Sequence, residues 1–108
     1  MPLYKKTQRI TGSSSLNWTF TPGSIFQLLE VRFHLSGLSV KREDFTLRLD
    51  SGAGTEYDTL LYSKDMTSVR DLIYTPDERR LFEAEDKVVF TWANTDKLTY
   101  GLEVVYKV

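Results

Sequence analysis

Apolar and polar residues alternate in short runs along this chain, and the clearest runs close it. Val88, Phe90 and Trp92 interleave with Val89, Thr91 and Ala93; Tyr100, Leu102, Val104 and Tyr106 interleave with Gly101, Glu103, Val105 and Lys107. A period of two marks a strand with one buried face. Between the runs lies Asn94-Thr-Asp-Lys97, a polar group with turn chemistry, so the chain is predicted to end in a long antiparallel hairpin. Upstream, the longest extended segment runs from Ser24 to Ser36. It is predicted to carry Leu29, Val31, Phe33 and Leu35 on one face and Glu30, Arg32 and His34 on the other. Phe45, Leu47 and Leu49 repeat the pattern against Thr46, Arg48 and Asp50.

Weaker runs fill the gaps. Leu16-Asn-Trp-Thr-Phe20 is stopped by Thr21-Pro-Gly23, Thr59 to Tyr62 reads as a strand, and Val69 to Tyr74 has the mixed character of an edge strand. Leu81 and Phe82 are a short apolar pair before the closing segment. No helical period is sustained for three turns. Turn signals spaced roughly 8–12 residues apart predict an all-β chain, an antiparallel, jelly-roll-like β-sandwich of about seven or eight strands. Residues 1–15, basic and then small and polar, are predicted to be an N-terminal arm outside the sandwich, leaving 16–108 as a single domain.

Length and composition narrow the function classes. The 108 residues suffice for one core, and the hydrophobic share of 41% is that of a folded chain. The absence of cysteine excludes disulfides and thiolate metal sites. A net charge of −1 gives no reason to expect nucleic acid or a membrane surface as partner. The start has no apolar core region of a signal peptide, and no run approaches the roughly 18 apolar residues of a membrane span.

Candidate chemistry is sparse. His34 is the only histidine and lies opposite the apolar face, so it reads as a surface residue near Glu30, and no serine sits in a nucleophile elbow. The 15 acidic residues define no particular carboxylate pair. No cofactor site is expected, and the chain is not expected to be an enzyme. The Asp50–Asp58 loop, with Asp50, Glu56 and Asp58 around two glycines, is a weak calcium candidate, because a hard cation wants six to eight oxygens. Aromatics make up 13% of the chain. Trp92 is in phase with Phe90, and Trp18 with Phe20, which predicts core roles rather than a platform for sugar rings.

One order of segments stands out: Leu29-Glu-Val-Arg-Phe-His-Leu35, Asp44 through Gly52, Tyr57-Asp-Thr-Leu-Leu61, Asp71-Leu-Ile-Tyr-Thr-Pro-Asp77, Leu81 through Asn94, and Thr99 through Tyr106. Over residues 24–108 it resembles small β-sandwich virion proteins of tailed bacteriophages, found as capsid decoration (cement) proteins, head fibres and tail components. Val-Val-Phe-Thr-Trp-Ala-Asn94 and Tyr-Gly-Leu102 are its most telling parts. The resemblance implies a structural protein, made in the host bacterial cytoplasm, that docks on the capsid of the virion as a trimer or other cyclic homo-oligomer. The alternative is a carbohydrate- or receptor-binding module of a phage tail or fibre. Leu3, Tyr4, Lys5, Lys6 and Arg9, apolar or basic and outside the sandwich pattern, are the expected partner contacts, and deleting residues 1–10 is expected to weaken docking while sparing the fold.

Overall fold

The computed structural model describes residues 4–78 and 80–108. The strands are β1 (Lys5–Gly12), β2 (Leu16–Phe20), β3 (Phe26–Leu35), β4 (Asp44–Asp50), β5 (Thr59–Asp65), β6 (Asp71–Tyr74), β7 (Leu81–Phe82), β8 (Lys87–Trp92) and β9 (Tyr100–Lys107). A 3-10 turn at Thr55–Tyr57 interrupts the loop after β4. One sheet has the order β1-β9-β3-β6, with β7 also paired to β3; the other has the order β2-β8-β4-β5. All pairings are antiparallel. Leaving aside the two-residue β7, this alternation of four strands with four is the jelly-roll order.

The expected inward sets build the core. Leu16 and Phe20 of β2, Phe45 and Leu47 of β4, and Val88, Phe90 and Trp92 of β8 are buried from one sheet. Val31, Phe33 and Leu35 of β3, with Leu102 and Val104 of β9, meet them from the other. The ring of Phe33 stacks on Phe45 across the layers at 4.5 Å, and Trp92 meets Phe33 edge-on at 5.5 Å. Trp18 is only half-buried and lies on Phe90 at 5.4 Å.

Three details differ from the sequence reading. First, β8 and β9 do not form a hairpin: β8 pairs with β2 and β4, β9 with β1 and β3. The connection crosses from one sheet to the other, which lets the two apolar faces oppose one another. Asn94, at φ 51°, and Lys97, at φ 55°, make the bend in left-handed backbone. The buried Asn94 amide donates to the carbonyls of Ser14 and Leu98, and its oxygen accepts from the Leu98 N–H. Turn chemistry and hairpin chemistry look alike in sequence.

Second, Leu29 is not in phase with Val31. A bulge between Leu28 and Glu30 shifts the pairing of β3 with β9, so Phe26 and Leu28 join Val31, Phe33 and Leu35 in the core despite opposite parity. Leu29, the extra residue, is buried as expected but stands outside the core cluster. Third, residues 5–12 are not an arm outside the sandwich. They form β1, paired in register with β9 from Lys5↔Lys107 to Gly12↔Tyr100. An edge strand that buries only Ile10, and that one partly, has no apolar alternation to show, and its contribution is mostly backbone pairing. Deleting residues 1–12 therefore removes a jelly-roll strand, uncovers the backbone of β9 and strips Ile10 from the core edge. The expected result is a loss of about 2 kcal/mol in chemical denaturation.

Candidate interaction face

The outer face of the β1-β9-β3-β6 sheet carries an ordered set of ion-paired side chains. Register sets them in rows across the strands: Arg9, Glu103, Arg32 and Ile73 in one, and Thr11, Gly101, His34 and Asp71 in the next. In the first row Arg9 Nε donates to Glu103 Oε2 at 2.8 Å and Arg32 Nη1 reaches Glu103 Oε1 at 3.4 Å. Arg32 Nη2 also pairs with Glu30 at 2.7 Å. These pairs are solvent-exposed and add little to stability, but they hold the side chains in an ordered array.

The hydrogen bond from Arg9 holds the Glu103 carboxyl below the ordinary glutamate value; partial desolvation opposes this, and the charges of Arg9 and Arg32 add to it. The folded value is depressed, so any stability Glu103 contributes is complete above its ordinary value of 4.5 and is lost as pH falls through the lower folded value. Carboxyl carbon shifts followed by NMR titration should show Glu103 titrating below 4.5 and moving back toward it in Arg9→Ala.

The second row has a gap at its centre. The space where a Gly101 side chain would stand is open, and around it lies a shallow depression of about 730 Å³ bordered by Arg9, Arg32, His34, Asp71 and Ile73. Ile73 is 64% exposed at its rim, an apolar side chain among charges. His34 Nδ1 is paired with Asp71 Oδ1. Thr11 lies in the same row, but with β9 between them its strand is about 10 Å from that of His34. The Thr11 hydroxyl donates instead to the Tyr100 carbonyl at 2.8 Å and so is not engaged with the histidine.

Of the partner contacts expected from the sequence, Tyr4, Lys5, Lys6 and Arg9 are brought together along β1 and the residue before it, and Leu3 lies outside the described residues. Tyr4 exchanges backbone hydrogen bonds with Val108 at 2.8 and 3.0 Å and leaves its ring 65% exposed. The sequence did not point to Glu103, Asp71 or Ile73. The polar phases of β3 and β9 were visible, but β1 had no apolar signal to place Arg9 beside Glu103.

Asp50, Glu56 and Asp58 do not converge. Asp50 ends β4 opposite Lys87, Glu56 sits in the 3-10 turn, and Asp58 accepts the Ser51 N–H at 2.8 Å. Among the described residues no three His, Cys, Asp or Glu side chains are placed to hold a metal ion. The loop is fixed by another carboxylate, the buried Asp86, which accepts the N–H groups of Gly52 and Glu83 at 3.0 Å each.

No protein-family model and no curated protein matches the chain. Among solved structures, the fold is similar to that of a chain in the acidic stable capsid structure of Helicobacter pylori bacteriophage KHP30. The TM-score is 0.54 at 12% identity, over 97% of this chain and 94% of that one. The likeness is one of fold, and it extends over nearly the whole of both chains.

Proposed function

We propose that this chain is a structural subunit of a phage virion, of the decoration (cement) type, that docks on the capsid as a homo-oligomer and catalyses no reaction. The observation that carries this reading is the end-to-end agreement of a bare jelly roll with a chain from a phage capsid structure. The ordered charges and the Gly101 depression on one sheet face supply a surface for burial against other subunits, and a lasting contact would cover about 1,200–2,000 Å² in total. The carbohydrate reading has less to stand on, because Trp92 is in the core and Trp18 lies against Phe90.

The test is to sediment the purified chain with particles of the phage whose genome encodes it, and to weigh the free chain by native mass spectrometry. Co-sedimentation at fixed stoichiometry and a closed oligomer are expected. A monomer at high concentration that stays in the supernatant would overturn the reading.

A further inference from the structure

Among the described residues no strand pairs with the outer edge of β1, and the direction of its backbone groups follows from the ladder. Tyr4 and Val108 exchange both of their hydrogen bonds. In an antiparallel pair, mutually bonded residues recur at every second position. Lys6, Gln8 and Ile10 therefore bond to β9, while Lys5, Thr7, Arg9 and Thr11 turn their N–H and C=O groups away from the sheet. β1 has one neighbour, β9, and its eight residues are exposed or half-buried.

The charge at one end of this edge is unbalanced. Arg9 and Arg32 each have a carboxylate on the same face. Lys5, Lys6 and Lys107 have no ion-pair partner among the described residues, and Lys5 stands directly opposite Lys107 in register. Like charges in that position repel. Lysines on an edge strand commonly serve to keep other strands away. Lys107 is on the second strand, however, so edge protection does not account for it.

We infer that β1 is the acceptor for an extended acidic segment of a neighbouring, different subunit, which adds as a further strand to this sheet. Its backbone bonds to Lys5, Thr7, Arg9 and Thr11, and its carboxylates, set on the outer face of the sheet, meet Lys5 and Lys107. Strand addition takes its affinity from main-chain hydrogen bonds and its selectivity from side chains on alternate positions. The inference rests on the virion reading for the identity of the neighbour, but its chemistry is testable without a particle.

The experiment follows amide hydrogen exchange of the full chain by NMR at low salt, with an eight-residue peptide alternating glutamate and valine. The N–H groups of Lys5, Thr7, Arg9 and Thr11 are expected to slow by roughly tenfold or more as the edge becomes paired. Lys5→Glu combined with Lys107→Glu should abolish the protection. Thr7→Pro should weaken it while leaving the β1–β9 ladder intact, because the Thr7 N–H faces outward. Equal protection by a lysine–valine peptide, protection only with single-stranded DNA, or protection that rises with chain concentration alone would each overturn the inference. So would peptide binding that leaves these amides unprotected. Repeating the exchange on sedimented particles separates the two claims. Chain bound to particles with freely exchanging β1 amides contradicts the acceptor role alone. Peptide-protected amides in a chain that never sediments contradict the virion reading alone.

Discussion

Truncating Phe33 to alanine is expected to destabilise the fold by about 3–5 kcal/mol, the cost of a large buried aromatic and the cavity it leaves. Phe33 is 1% exposed near the end of β3 and touches both layers: it stacks on Phe45, meets Trp92 edge-to-face and lies 5.8 Å from Tyr100. Both sheets lose their shared contact at once, so neither can collapse to fill the space. At about 4 °C per kcal/mol for a domain of this size, the midpoint of thermal unfolding should fall by about 12–20 °C. Phe33→Leu, which keeps much of the volume, should cost less than half as much. A calorimetric scan of the two variants beside the native chain checks both values.

Asn94→Ala is expected to cost about 3–4 kcal/mol, although it removes only a small polar group. Three hydrogen bonds at a buried site are lost together, leaving the Ser14 and Leu98 carbonyls and the Leu98 N–H unpaired. Alanine is also strained at the φ of 51°. The same residue ties the β1–β2 turn to the crossing from β8 to β9, so its loss loosens two connections of the jelly roll. Two further substitutions separate the causes. Asn94→Gly keeps the backbone and loses the bonds, so it should recover part of the stability. Asn94→Asp keeps the acceptor but sets a carboxylate oxygen against two carbonyls, and it should be no better than alanine. Urea denaturation of the three variants ranks them.

Much of the fold was legible because most of its strands have one wet and one dry face. Val88, Phe90 and Trp92 announced β8 without ambiguity, as did Phe45, Leu47 and Leu49 for β4. Where that condition failed, the reading failed with it. β1 contacts the core only through Ile10 and its ends, so its residues looked like a polar arm. The bulge at Leu28–Glu30 breaks the phase of β3, so a strict period of two finds the buried Leu29 but misses Phe26 and Leu28, which belong to the core cluster. The crossing after β8 depends on which sheet each strand joins, a tertiary choice that the polar group Asn94–Lys97 does not record.

The interaction face was half legible for the same reason. Glu30, Arg32 and His34 were placed on the outer side of β3, and Tyr4, Lys5, Lys6 and Arg9 were singled out as partner contacts. The β1–β9 pairing sets Lys5 and Arg9 on the same outer face, with Lys6 on the opposite one, and brings residues 94 positions apart into the Arg9–Glu103 bond. The calcium candidate shows the opposite case. Asp50, Glu56 and Asp58 are close in sequence, but alternation and the 3-10 turn separate their carboxylates. The residue that organises the loop, Asp86, comes from a different connection.

The most direct measurement is a cryo-electron map of the assembled particle at a resolution that traces strands. The account predicts density for this jelly roll on the capsid, with the β1-β9-β3-β6 face and the β1 edge buried against neighbouring subunits. A particle that lacks the chain, or one in which that face and edge stand open to solvent while another surface makes the contact, would contradict it.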